Sequence, residues 1–147
     1  MLTHLTKLFD RDLTRLSNEL MAYLEEEDIW IIKGDITNSA GNITLHILGN
    51  LNHFVGTVLV NTEYVRKRDD EFSEKNVPRS RLLEEIKSAN EMIKATLSIM
   101  KYADLDKPYH VDVFEHEMKT EYFLIHLFGH LNYHLGQINY HRRIINS

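Results

Sequence analysis

Apolar residues recur along this chain at steps of three and four, the period of a helix with one buried face. Over residues 3–27 the stripe is Leu5, Leu8, Phe9, Leu13, Leu16, Leu20 and Leu24, and it predicts a first helix. The acidic run Glu25, Glu26, Glu27 and Asp28 ends it, because carboxylates are unfavourable at a helix C-terminus. Residues 28–35 then read as a connection whose Ile29, Trp30, Ile31 and Ile32 cover the core. A second helix starts near Asn38 or Ser39, both good N-caps, and runs to about Asn61. Gly41, Gly49 and Gly56 lie along it, and glycine costs about 1 kcal/mol inside a helix, so these mark close helix contact or room beside a site.

Residues 62–78 are polar and read as a loop with at most one short helical turn, broken by Asn76 and Pro78. A third helix runs from there to about Tyr102 on Leu82, Leu83, Ile86, Ala89, Ile93, Leu97 and Met100. Lys107-Pro108 interrupts the chain, and the following YHVDVFEHE suggests a short extended piece. A fourth helix spans Thr120 to Arg143 and ends in cations that suit its dipole. The expectation is an all-α four-helix bundle, one domain over residues 1–147, with a longer connection between helices 3 and 4.

Composition narrows the function. The chain has no cysteine, which removes disulfides, thiolate metal sites and a cysteine nucleophile. Any metal must be held by nitrogen and oxygen, and a reducing cytoplasm is the expected setting. The formal net charge is −5, against the basic surface that nucleic-acid binding needs. Arg66, Lys67 and Arg68 run straight into Asp69, Asp70 and Glu71 and read as a mixed, solvated loop. No run of eighteen apolar residues is present, so no membrane span is expected, and Asp10 and Asp12 argue against a secretory signal.

The histidines carry the chemistry. His126, His130, His134 and His141, with Gln137, fall on one stripe of helix 4, about 80° wide at 100° per residue. His130 and His134 lie one turn apart and can share an ion. On helix 2, His46, Asn50 and His53 share another narrow stripe. A lone histidine on an apolar face is usually a hydrogen-bonded core residue. Four in one register favour metal binding instead, because neutral imidazole is the commonest protein metal ligand. A helical histidine pair needs a third ligand, and His46 is the natural candidate. Asn50, His53, His126 and Gln137 are second choices, placed to orient ligands or line a cleft. Tyr133 and Tyr140 sit beside the stripe and read as core packing. His116, with Glu115 and Glu117, is a minor candidate for a lid.

Two motifs then make a resemblance specific. Ser39-Ala40-Gly41-Asn42-Ile43-Thr44-Leu45-His46 resembles the Ser-x-Gly-x-x-x-x-His pattern, and His130-Leu131-Asn132-Tyr133-His134-Leu135-Gly136-Gln137 the His-x-x-x-His-x-Gly-Gln pattern, of the DinB/YfiT-like superfamily of metal-dependent four-helix bundles. The resemblance spans essentially the whole chain. It implies a three-histidine site of His46, His130 and His134 holding a divalent transition metal: nickel, zinc, manganese or iron. It also implies a small-molecule substrate, a low-molecular-weight thiol as its partner in transferase- or hydrolase-like chemistry, and a homodimer. Trp30, Ile31 and Ile32 are the candidate interface, or Trp30 plugs one end of the bundle. The competing reading is a non-catalytic metal or small-ligand binder, or a stress-response interaction protein, of the same fold. No partner nucleic acid or membrane is expected.

Overall fold

The first helix, α1, spans Leu2–Met21 and buries Leu2, Leu5, Phe9, Asp12, Leu13, Leu16 and Leu20. This is the expected stripe with its end corrected. Past Met21 the chain leaves the helix, so Leu24 is 73% exposed and Tyr23 takes the buried position. The acidic run forms a tight 3₁₀ turn, Glu26–Trp30, which buries Ile29. Ile31 and Ile32 are exposed instead of covering the core. The computed structural model describes residues 1–111, 114 and 116–147.

Helix α2, Ala40–Val60, starts where the sequence places it. The Ser39 hydroxyl accepts the Asn42 backbone N–H at 3.1 Å, and Asn61 ends the helix in the left-handed region at φ 54°. Nearly every residue from Ala40 to Leu51 is buried, as expected of a helix that is apolar all round. Among the described residues it is also the one helix long and apolar enough to cross a membrane, yet most of it is buried between other helices. A π-helical segment, Asn52–Thr57, widens its second half. A wheel drawn at 100° per residue therefore loses phase beyond Leu51.

Residues 62–78 are loop with one short helical element, as the sequence allows. This helix, α3 (Arg68–Ser73), packs on α2 and buries Glu71. The charge-mixed stretch is thus only partly solvated: Arg66 and Glu71 have side chains 13% and 6% exposed. Helix α4 spans Arg79–Ile99, α5 is a single turn at Tyr102–Leu105, and α6 spans Thr120–Ile145. Leu82, Ile86, Ala89, Ile93 and Leu97 are buried on α4, as the periodicity requires. The expected extended piece lies partly outside the described residues. What is seen beside it is one antiparallel bridge, Pro108 to Lys119.

The protein is all-α, with six helices among the described residues: four long and two short. α1 packs against α4 and α6, and α2 packs against the same two helices. Phe9, Leu13, Leu16, Ile47, Leu82 and Phe123 are fully buried members of one core that runs the length of the bundle. Each such side chain contributes about 1.5–3 kcal/mol of burial free energy. Polar ties fix the outer ends. Asn139 and Arg142 on α6 both donate to Glu19 on α1. His141, buried on α6, has its Nε2 2.7 Å from the Ile31 carbonyl and its Nδ1 2.5 Å from the Tyr23 hydroxyl. A carbonyl only accepts, so Nε2 carries the proton and Nδ1 accepts from Tyr23. Trp30 lies over the start of α2, where a Cβ on Gly41 would fall 2.6 Å from its ring.

Candidate metal centre

α2 and α6 lie side by side, and their histidines meet. Nε2 of His46 stands 3.1 Å from Nε2 of His130, and Nε2 of His134 stands 3.2 Å from the same atom. One nitrogen from each of the three rings lies within 4.8 Å of the others. Three nitrogens bound at about 2.0–2.1 Å to one tetrahedral ion stand about 3.4 Å apart. The spacing fits, and the group can hold a metal ion.

The outer nitrogens explain how the rings are aimed. His46 Nδ1 is 3.0 Å from Oε1 of Glu71, and His134 Nδ1 is 2.7 Å from Oε1 of Gln137. Both oxygens are acceptors, so both Nδ1 atoms carry hydrogen and both Nε2 atoms present bare lone pairs. His130 Nε2 has at most one proton to share between two such neighbours. A second proton is disfavoured: burial, then His134, His46, His126 and Arg66, push the His130 pKa down to about 4. Burial also lowers that of His134, against the Gln137 bond, which raises it. A divalent cation satisfies all three lone pairs at once.

Glu71 was not visible as a site residue in the sequence. Its carboxylate accepts from Arg66 Nε and Nη2, both at 2.9 Å, as well as from His46. Burial pushes its carboxyl pKa up, but the bonds from His46 and Arg66 outweigh this and hold it below the usual range. The backbone behind it is pinned. Asn42 on α2 donates to the carbonyls of Glu71 and Glu74 at 2.9 and 2.8 Å. Its own oxygen accepts from Ser39 and Lys75 at 2.8 and 2.7 Å, so its amide is fully used. Gly49, three residues after His46 on the same face, supplies the space. A Cβ there would fall 2.5 Å from Cδ of Glu71 and closer still to Oε2. The glycine expected to leave room beside a site leaves it for this carboxylate.

The remaining candidates divide. Gln137 touches a site histidine. Asn50 is buried one turn from His46, and its Oδ1 has no hydrogen-bond partner among the described residues. His53 packs its ring against Phe54 at 4.8 Å, and burial and the nearby Arg66 charge lower its pKa. His126 is exposed and lies against Phe114 and Phe123, ring centroids 4.9 and 5.6 Å away. Neither hydrogen-bonds to the three site histidines. Glu115 of the expected lid lies outside the described residues. His116 and Glu117 line a separate hollow with Tyr122 and Ile125.

A cleft of about 610 Å³ opens beside the centre. His46, His134 and Gln137 line it beside polar residues that include Lys33 and Asp35, and Ile43, Phe72 and Ile144 give it apolar walls. Tyr133 and Tyr140, expected in the core, are each 67% exposed and line this cleft. His141 also borders it, with both ring nitrogens already bonded to Tyr23 and Ile31.

A search of curated proteins finds no match to this chain. The helices and histidines just described fall within residues 2–147, which match the family described as "Protein of unknown function (DUF1572)", and the chain belongs to that family.

Proposed function

We propose that this protein is a metal-dependent enzyme of the DinB/YfiT-like superfamily, a four-helix bundle in which His46, His130 and His134 hold one divalent transition metal ion. The observation that carries this reading is the convergence of three Nε2 atoms while the Nδ1 atoms of His46 and His134 turn outward to acceptors. Such outward bonds fix tautomer and ring orientation in metal-ligating histidines. Two motif residues behind the resemblance have physical roles that support it. Ser39 caps the helix that carries His46, and Gln137 holds His134.

Bound there, the ion would supply Lewis acidity, lowering the pKa of a coordinated water or thiol toward neutrality. The chain's own residues do the rest. Glu71 and Gln137 keep two imidazoles aimed. Ile43, Phe72 and Ile144 offer a dry wall for the body of a small substrate, and the cleft volume falls within the range of about 300–1,000 Å³ usual for small-molecule sites. The reading includes a low-molecular-weight thiol as co-substrate in transferase- or hydrolase-like chemistry. It also includes a homodimer in the cytoplasm, without nucleic acid or membrane as partner. Nickel, zinc, manganese and iron all suit an imidazole set.

Elemental analysis of untagged protein tests the reading. The expected result is one divalent transition metal ion per chain, lost in His130→Ala. An ion retained at full stoichiometry in that variant overturns this ligand set.

A further inference from the structure

Arg66 and Glu71 face the centre as a pair with opposite charges. Glu71 accepts the Nδ1 hydrogen of His46 and adds a negative charge behind that ligand. Arg66 grips both carboxylate oxygens through a planar fork. Its guanidinium also lies over the Phe54 ring, 5.7 Å from the centroid. Both side chains are largely buried, so water screens the pair weakly. A carboxylate behind a ligating imidazole makes the ligand more basic and offsets the ion's charge. A guanidinium on that carboxylate takes part of the offset back.

We propose that Glu71 and Arg66 are positioning residues of the metal centre that set, with opposite signs, the positive charge the ion presents to the cleft. The assignment rests on the metal centre proposed above. A merely structural pair would behave differently: loss of either member would loosen α3 and impair the site in the same direction.

The test uses the full chain loaded with cobalt(II), with azide as an anionic probe and the visible cobalt spectrum as the readout. Glu71→Gln should weaken cobalt binding by roughly 10–100-fold, the usual scale for an outer partner of a metal ligand. In the cobalt-saturated variant, azide should bind more tightly than in wild type, by roughly tenfold, as expected for one unit charge removed several ångströms away in a partly buried site. Arg66→Gln should shift azide affinity the other way by a similar factor, and Arg66→Lys, which keeps the charge, should restore it. Azide affinities that move in the same direction in Glu71→Gln and Arg66→Gln overturn the assignment. If Arg66→Gln does not fold, Glu71→Gln decides alone, and unchanged or weaker azide binding there overturns it. Wild-type protein that takes up no cobalt overturns the metal centre itself.

Discussion

His130 and His141 sit on the same face of α6, and the two ends of that face behave in opposite ways. At His141 both ring nitrogens have partners of the correct kind, a carbonyl that accepts and a hydroxyl that donates. At His130 the neighbours are two imidazole nitrogens whose protons are committed elsewhere. Register, residue type and helix are shared, so spacing along the chain does not separate the structural histidine from the one in the candidate metal centre. The partners do. A histidine tied between a hydroxyl and a carbonyl is complete, whereas three converging Nε2 atoms leave a group that can hold a cation.

The largest effect should come from removing one histidine at each end. His130→Ala is expected to lower zinc affinity by more than about 100-fold, since it removes a ligand outright and not just an outer partner. His141→Ala should leave zinc stoichiometry intact and cost about 2–4 kcal/mol of stability, because the Tyr23 hydroxyl and the Ile31 carbonyl each lose a bond. Equilibrium dialysis with zinc, paired with denaturant unfolding, reads both. Equal losses of zinc in the two variants would erase the distinction.

Metal itself should stabilise the fold next most strongly. At a free zinc concentration 100 times the dissociation constant, the gain is about 2.7 kcal/mol. Thermal unfolding with and without zinc should show that gain in wild type and in His141→Ala, and less than about 0.4 kcal/mol in His130→Ala.

Gly49→Ala probes the space behind His46. The added methyl group displaces the Glu71 carboxylate, with an expected overpacking cost of about 1–3 kcal/mol. Denaturant unfolding measures it, and no change in stability would mean that Glu71 yields without cost.

The smallest effect belongs to a buried charge on α1. Asp12 is fully buried on α1. Burial pushes its carboxyl up, but bonds from Arg11 and Asn132 and the charges of Arg11 and Arg15 outweigh this, and its pKa is lowered. A lowered carboxyl stabilises the fold above the unfolded value of about 3.9, and that share is lost as pH falls through the folded value. The share should stay below about 1 kcal/mol, because both arginines are half exposed. Stability followed from pH 6 to pH 3 should fall less steeply in Asp12→Asn than in wild type.

The long helices α1, α4 and α6 were legible because burial on one face imposes a period on the sequence, whereas α2, buried nearly all round, was marked by its Ser39 cap. His130 and His134 were legible for the same reason, since four-residue spacing is a statement about one face, and His46 followed from the need of such a pair for a third ligand. Glu71 and Arg66 were hidden because α3 is too short to show a period, and their charges sit among solvated neighbours of both signs. Gly49 was the available signal, a glycine on the His46 face that leaves space for a side chain from elsewhere. Leu24, Tyr133 and Tyr140 misled because periodicity reads apolar character, not helix ends or cleft walls. The π segment is invisible to any fixed-angle wheel.

Asn42 joins two jobs that are usually separate. Its backbone N–H completes the cap that starts α2, and its side chain clasps the turn that delivers Glu71. The start of this helix and the support of the Glu71 carboxylate therefore share one residue. A chain whose latch is cut should fray at the first turn of α2 and at the histidine centre together.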